Sequence, residues 1–316
     1  MKSKQFSGIW ATMVTPFDER LRVRYDLLEQ IVEWYIRRGA DGIFAVCQSS
    51  EMEFLSREER RRVSRAVVRA AGGRIPVVAS GHVSDTLDGQ IKDAEDVYES
   101  GADAFILVSN RFAGEGEPDS LFLKNLEGFL KHVDPSLPLG IYECPSPFKW
   151  LLTEKAVEYC AKSGRFCFFK DTSCRPDVIR RRLEIARGSP LRIFNANAAT
   201  FLQSLRDGAN GYCGVMANFH PELYRWLFRN HAAQRKLAER VSDFLAVASV
   251  CECRMYPDNA KQYMKRWIPK MDICSRKWKN QQLPESVRIE TESMEKLAEE
   301  YRRLCGIPLQ VLKPAE

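Results

Sequence analysis

A lysine at the end of a strongly apolar run is the residue of this sequence best suited to carbonyl chemistry. Lys170 closes the run 166–169, Phe-Cys-Phe-Phe, and precedes Asp171. Desolvation favours the uncharged form of an amine, whose lone pair can attack a carbonyl carbon and form a Schiff base. A second interpretation stays open, in which Lys170 reaches solvent and pairs with Asp171 or another acid.

Tyr142 ends another apolar run in a comparable position. It follows residues 139–141 and precedes Glu143. A phenol beside a forming imine can pass protons to and from the intermediate. The alternative is a half-buried aromatic side chain at a strand end with no chemical role.

Small polar side chains cluster in the segment 47–51, Cys-Gln-Ser-Ser-Glu. Gln48, Ser49 and Ser50 bring hydroxyl groups and backbone amides that suit a carboxylate ligand. The other interpretation is a serine-rich turn before a helix, with Ser56 as N-cap and Glu59 completing a capping box. The two interpretations are compatible, because Ser49 and Ser56 need not serve the same purpose.

Histidines and cysteines indicate neither a metal site nor a thiol nucleophile. The four histidines lie in unrelated segments without ligand spacing, so we expect no metal. The ten cysteines show no disulfide framework and no paired zinc-type spacing, which favours reduced thiols. Cys213 lies near a predicted strand end, where we expect it to line the substrate site. No histidine is spaced to activate it as a nucleophile.

A repeated phrase indicates the elements that would position these residues. A glycine, an alanine, an Asp or Asn and an apolar run recur at 39–46, 101–108 and 208–215, each after a helix-like segment. Glycine commonly ends a helix in the left-handed conformation, and the apolar run suits a strand buried on both faces. Each phrase therefore predicts a helix-to-strand junction.

Eight strands alternating with amphipathic helices are predicted along the chain. Their bounds are 9–15, 43–46, 77–80, 105–108, 139–142, 166–170, 192–195 and 212–215. Because no GxGxxG follows an early strand, the α/β series favours a closed (β/α)8 TIM barrel over a doubly wound sheet. We expect the barrel to span residues 1–221. Residues 222–316 would hold its last helix and a C-terminal helical extension packed on the barrel.

The composition is that of a globular protein, neither disordered nor membrane-spanning. Apolar residues make up 45% of the chain and charged residues 28%. No stretch approaches the roughly 18 apolar residues of a membrane helix, and no signal-peptide pattern is present, so we expect a cytoplasmic location and no membrane partner. The net charge of +6 includes basic helical segments interleaved with glutamates. Such segments favour a solvated helix face over a nucleic-acid surface.

These motifs, in this order, resemble the dihydrodipicolinate synthase and N-acetylneuraminate lyase family over most of residues 6–221. The segments 8–17, 47–56, 142–145, 169–173 and 211–221 are similar to its opening strand, GTTGE-x3-LS segment, Y-x-x-P motif, Schiff-base lysine segment and last-strand stretch. The resemblance implies that Lys170 forms an imine with a 2-oxo acid, without a cofactor, and that Tyr142 is its proton-transfer partner. It also implies a homo-oligomer, either a dimer or a tetramer.

The chain departs from the family pattern at three places. Gln48 replaces one member of the family's Thr-Tyr-Tyr proton relay. The second relay tyrosine, which the family offers across a subunit interface, aligns with Phe112. The arginine that holds the aldehyde's carboxylate in the synthase branch corresponds to Pro147. These departures argue against a role in lysine biosynthesis.

The remaining strand-end residues predict a site for a 2-oxo acid with a polar chain. We expect the loop of Ser49 to hold the carboxylate and Arg111, beside Phe112, to place a positive charge near the distal end. Glu143, Asn195 and Asn197 are expected to bind hydroxyl groups.

The resemblance predicts a class I aldolase-type lyase, and it leaves aldol cleavage, condensation and loss of water open. The alternative function is a catalytically quiet barrel that binds a 2-oxo acid or serves as a structural or regulatory subunit.

Overall fold

The computed structural model describes residues 6–279 and 281–308. Eight parallel strands pair in sequential order and close into a barrel. Their bounds are β1 Gly8–Thr12, β2 Gly42–Ala45, β3 Val77–Ala79, β4 Ala104–Val108, β5 Leu139–Tyr142, β6 Phe166–Asp171, β7 Ile193–Asn195 and β8 Gly211–Gly214. The predicted barrel fold is confirmed, and every predicted strand is present within a few residues of its expected bounds.

Eleven α-helices are found in the described part of the chain, and α1 to α8 follow β1 to β8 in turn. Their bounds are α1 Tyr25–Arg37, α2 Arg57–Ala71, α3 Leu87–Glu99, α4 Asp119–Leu130, α5 Glu154–Lys162, α6 Pro176–Ala186, α7 Phe201–Arg206, α8 Pro221–Asn230, α9 Arg235–Ala248, α10 Asp258–Met264 and α11 Glu285–Leu304. The predicted capping box at the start of α2 is confirmed, since Ser56 and Glu59 each accept the other's backbone N–H. No helix in the described ranges is long and apolar enough to cross a membrane.

The barrel lumen is filled by aromatic rings. Phe168 stacks on Phe194 with ring centroids 4.3 Å apart, and Trp10 meets Phe168 edge-on at 5.0 Å. Glycine is required beside these rings. A Cβ atom on Gly42 would lie 2.5 Å from the Trp10 indole, and one on Gly140 would lie 2.9 Å from Phe168. The barrel is therefore a packed core and not a pore.

Two facing glycines let β1 close on β8. Gly8 pairs with Gly211, whose φ is 151°. A Cβ atom on Gly211 would lie only 1.9 Å from the carbonyl oxygen of Gly8. Main chains at this seam approach more closely than any side chain allows.

The C-terminal segment is fixed to the barrel by a buried ion network. Arg302 of α11 is fully buried and contacts Glu222 of α8 at 2.6 Å and Glu295 at 2.8 Å. Between α9 and α10 the chain makes a 3-10 turn, Ser249–Cys253, which packs on the turn Val215–Asn218 after β8. This connection brings residues of the C-terminal segment to the mouth of the barrel, which is the end formed by the C-terminal ends of the strands. The division of the chain at residue 221 remains an interpretation of the sequence.

Candidate active site

Lys170 lies inside the barrel near its mouth, with an aromatic wall beside its amine. Its side chain is 5% exposed, and Nζ lies 4.1 Å from the ring centroid of Tyr142 and 5.8 Å from that of Phe44. Lys170 pairs with Tyr142 in the β5–β6 register, so both side chains point into the lumen. In residues 6–279 and 281–308 no carboxylate lies within ion-pair distance of this amine.

Asp171 points the opposite way, toward the surrounding helices. Its Oδ2 contacts Nη1 of Arg182 of α6 at 2.5 Å, and its Oδ1 accepts bonds from the backbone and hydroxyl of Ser173. Alternation along β6 explains the difference, because an inward Lys170 requires an outward Asp171. The interpretation that pairs Lys170 with Asp171 is therefore wrong.

Tyr142 stands next to the amine with its hydroxyl group engaged. The hydroxyl donates to Oε1 of Gln48 at 3.1 Å. Burial raises the pKa of Tyr142 well above its usual value, so the phenol stays protonated. An amide oxygen accepts a hydrogen bond but does not take up the proton, so Gln48 orients Tyr142 without relaying its proton.

The two serines after β2 have different surroundings. Ser50 donates to the carbonyl oxygen of Met13 at 2.6 Å and accepts from the backbone N–H of Cys47 at 3.1 Å. Ser49 donates to the hydroxyl of Thr12 at 3.1 Å and is 4% exposed. Ser50 therefore fixes the shape of the turn Gln48–Ser50, and a carboxylate-binding role for Ser49 stays a prediction.

Tyr256 joins this polar group from the C-terminal segment. Its hydroxyl accepts a hydrogen bond from Nδ2 of Asn218 at 3.0 Å and lies against the hydroxyl groups of Ser49 and Thr12. Asn218 also donates to the carbonyl oxygen of Thr12 at 2.9 Å. Sequence reasoning missed Tyr256, because no local pattern links residues so far apart in the chain.

Glu143 does not face the lumen. Its carboxylate accepts from Arg182 at 2.6 and 3.2 Å, and from the backbone N–H groups of Leu152 at 2.7 Å and Thr172 at 2.9 Å. Burial raises the pKa of Glu143, and the positive charge of Arg182 opposes that rise. With four donors already bound, this carboxylate is not free for a substrate hydroxyl. The substrate-binding role predicted for Glu143 must be revised to one of positioning the end of β5.

Asn195 and Asn197 organise the start of α7. Nδ2 of Asn195 donates to the hydroxyl groups of Thr200 at 2.9 Å and Ser204 at 3.0 Å, and its Oδ1 accepts from the backbone of Asn197. Oδ1 of Asn197 accepts from the backbone N–H of Thr200 at 3.0 Å. Asn195 pairs with the outward Asp171 in register, so its side chain lies outside the lumen. The contacts of both residues are those of a helix-capping turn.

Arg111 and Phe112 are also placed otherwise than expected. Phe112 is 2% exposed and packs on Phe122 at 5.8 Å and Phe129 at 5.9 Å, so it belongs to the core of its own chain. Arg111 is held by Asp85, with 2.7 Å between Nη1 and Oδ1. The sequence places Phe112 beside Arg111 among the residues expected to contact the substrate, and its position in the core does not support that contact. A distal role for Arg111 stays a prediction.

Cys213 forms part of the lumen wall. It pairs with the inward Trp10 in the β1–β8 register and is fully buried. Burial raises the pKa of its thiol to about 12, and the charge of nearby Lys170 opposes the shift. The side chain is therefore a neutral thiol near the amine of Lys170, which suits a lining residue and not a nucleophile.

Comparison with known proteins identifies the family. The sequence profile of the Dihydrodipicolinate synthetase family matches residues 5–247. The chain belongs to this family. Dihydrodipicolinate synthetase family members are lyases of the class I aldolase type. Among similar curated proteins, the 4-hydroxy-tetrahydrodipicolinate synthase of Jannaschia sp. (strain CCS1) is 27% identical over 224 residues, 69% of this chain and 72% of that protein. The synthase of Halorhodospira halophila (strain DSM 244 / SL1) is 29% identical over 227 residues, 68% of this chain and 71% of its own length.

Solved structures of the Dihydrodipicolinate synthetase family share the fold. The prophage protein YagE of E. coli K12, solved in complex with pyruvate, superposes with a TM-score of 0.81 at 17% identity, covering 95% of this chain and 99% of that chain. CdNal from Clostridium difficile, solved in complex with mannosamine, gives a TM-score of 0.82 at 15% identity, covering 93% and 99%. These likenesses extend over the C-terminal helices as well as the barrel.

Proposed function

We propose that this protein is a Schiff-base-forming lyase that acts on pyruvate or a longer 2-oxo acid through Lys170. The observation that carries the proposal is a buried amine, 5% exposed, whose Nζ lies 4.1 Å from the ring of Tyr142. Because Asp171 is paired with Arg182, no ion pair within residues 6–279 and 281–308 holds the amine away from a carbonyl carbon. The chemistry needs no cofactor, because the protonated imine is itself the electron sink.

The residues around Lys170 suit the successive steps of imine formation. The amine adds to the C2 carbonyl, and the phenol of Tyr142 supplies a proton as the carbinolamine loses water. The Ser49 hydroxyl and the backbone of the turn Gln48–Ser50 bind the C1 carboxylate. The phenolate left on Tyr142 then takes the proton of the C4 hydroxyl group, the O–H electron pair forms the carbonyl group of a released aldehyde, and the C3–C4 electron pair moves toward the protonated imine and leaves an enamine. The protonated imine also permits dehydration: a proton is lost from C3, and the hydroxyl group then leaves C4 as water after it is protonated.

The synthase activity named for the curated relatives is not the one we propose. Pro147 stands where the synthase branch has its carboxylate-binding arginine, and Phe112 is buried in the core. The nearby Lys149 donates to the carbonyl oxygen of Thr172 at 3.0 Å, so a cation remains close to the mouth but in a different position. These differences favour a substrate chain unlike the synthase's aldehyde. A homo-oligomer remains a prediction.

A catalytically quiet barrel is the second candidate. Gln48 and Phe112 carry no ionisable group where the family relay has two hydroxyl residues. Such a protein would bind a 2-oxo acid without turnover.

Pyruvate release separates the two candidates. The protein is incubated with a series of 4-hydroxy-2-oxo acids of increasing length, including 2-keto-3-deoxygluconate and N-acetylneuraminate, and released pyruvate is measured with lactate dehydrogenase. A parallel assay follows dehydration of the same acids by the 2,5-dioxo products. Turnover that Lys170→Ala abolishes supports the lyase. Borohydride-trapped adducts without turnover of any compound would favour the quiet barrel.

A further inference from the structure

Glu252 is the acidic side chain that the C-terminal segment brings to the barrel mouth. It lies in the 3-10 turn Ser249–Cys253. Two contacts hold the turn and the residues that follow it. Asn259 Nδ2 donates to the carbonyl oxygen of Cys251 in the turn at 2.6 Å, and the hydroxyl of Tyr256, three residues after the turn, accepts from Asn218 at 3.0 Å. The second contact anchors the segment directly above β1 and β8, beside Ser49 and Thr12.

The surroundings of Glu252 come from several elements of the mouth. Its negative charge is attracted to Lys170 on β6 and to Lys149 in the loop after β5. The other ionisable groups that sense its charge are Cys174 after β6, Tyr212 on β8, Tyr224 on α8 and Tyr256. No hydrogen bond or ion pair engages its carboxylate in the described ranges. Glu252 is thus a partly buried carboxylate on a turn that packs against the loop after β8 at the barrel mouth, and its charge reaches Lys170.

Burial raises the pKa of Glu252, while Lys170 and Lys149 oppose the rise. A carboxyl group with a raised pKa is better matched to proton transfer near neutral pH than an exposed one. Partial exposure also lets it exchange protons with solvent.

The residues next to Tyr142 cannot exchange protons with solvent. The phenol donates to Gln48, whose amide neither takes up nor releases a proton in water. Phe112 has no polar atom and lies in the core. Once Tyr142 has given up its proton, neither neighbour can return it. An ionisable side chain that reaches solvent would complete a proton-transfer cycle that Gln48 and Phe112 do not support.

We propose that Glu252 is a catalytic acid–base residue that transfers the proton at C3 of the 2-oxo acid bound as an imine to Lys170. This inference rests on the proposed function. The carboxylate takes a proton from C3, the C–H electron pair becomes the C2–C3 double bond, and the C2–N π pair moves to nitrogen. The products are a neutral enamine and a protonated Glu252. The reverse step returns the proton to C3, and no oxidant or reductant is needed.

Pyruvate alone tests this step, so no aldehyde partner has to be known. In deuterated buffer, proton NMR follows loss of the pyruvate methyl signal, and borohydride trapping measures the fraction of protein present as adduct. The variants are Glu252→Gln and, as matched control, Glu290→Gln. Glu290 is 40% exposed and pairs with Arg254 near the same turn at 3.0 Å. Thermal melts confirm that each variant is folded.

We expect Glu252→Gln to form the adduct at the level of the wild type and to exchange the methyl protons about 100-fold or more slowly per adduct. Glu290→Gln should exchange at the wild-type rate. The wild-type rate per adduct should fall as pH decreases through the raised pKa of Glu252, because the base must be ionised, and the glutamine variant should lack that inflection. The wild-type profile serves as the test even if the variant does not fold.

Each result discriminates. Exchange by Glu252→Gln within about twofold of the wild type, or a wild-type rate per adduct that does not change with acid pH, overturns the role of Glu252. An adduct in the wild type without any exchange overturns it as well, while leaving the Schiff base intact. Absence of an adduct in folded wild-type protein overturns the proposed function itself.

Discussion

Arg182→Met should strongly destabilise the protein, because Arg182 neutralises two carboxylates in the wall of the barrel. Its side chain is 3% exposed, and those of Glu143 and Asp171 are 0% exposed. The guanidinium contacts Asp171 at 2.5 Å and Glu143 at 2.6 Å, and also donates to the carbonyl oxygen of Leu152 at 2.6 Å. Removing one partner of a buried ion pair costs about 3–5 kcal/mol, since the remaining charges stay desolvated and unpaired. We expect a loss of free energy of unfolding in this range.

Urea denaturation measures the loss, and Arg181→Met is the control one residue away. Arg181 is 54% exposed and pairs with Glu154 and Glu184 on the surface. Exposed pairs contribute about 0–1 kcal/mol, so the control should remain close to the wild type. Adding Glu143→Gln to Arg182→Met should recover part of the loss, because one buried negative charge is removed. If Arg182→Met is within about 1 kcal/mol of the wild type, the carboxylates do not depend on this arginine and the reasoning fails.

The remaining predictions concern acid stability and barrel closure. Burial, aided by the charge of Arg302, lowers the pKa of His220 to about 3, so the unfolded chain binds the extra proton and stability is lost as pH falls below 6.5. His220→Phe should therefore reduce the loss of unfolding free energy between pH 7 and 5 by about 2 kcal/mol, and an unchanged loss would contradict this. Gly211→Ala should prevent the close approach to Gly8 and lower the melting temperature strongly. Gly208→Ala is the control, because Gly208 has a φ of 98° and an added Cβ would meet nothing within 4 Å. This variant should show the cost of backbone strain alone. Equal losses of melting temperature in the two variants would argue against steric closure at Gly211.

The barrel was predictable because the repeated phrases and apolar runs are local signals. Lys170 was found in the same way, since an amine that ends a run of phenylalanines is unusual in itself. The side on which each strand-end residue lies was not predictable from position alone. Glu143 and Asn195 lie at strand ends in the sequence, yet both share the outward orientation of Asp171. Alternation fixes side-chain direction only when the register is known, and one sequence does not provide it.

The residues from the C-terminal segment could not be found from local pattern. Tyr256 and Glu252 lie beyond the barrel in sequence, and the fold brings them to the mouth. Phe112 illustrates the opposite case. The family resemblance identified its position, but only the structure shows that its ring packs on Phe122 and Phe129. In both cases, contacts between segments that are far apart in the sequence set the position of the side chain.

Borohydride reduction in the presence of pyruvate, followed by peptide mass spectrometry, tests the central claim most directly. A reduced pyruvate adduct is expected on the peptide that contains Lys170, and it should be lost in Lys170→Ala. Lys162→Ala is the control, because Lys162 is 75% exposed and pairs with Glu158 on the surface at 2.6 Å. An adduct in the wild type and in Lys162→Ala, but not in Lys170→Ala, is the expected result. Folded wild-type protein with no adduct, or with an adduct on another lysine, would contradict the account.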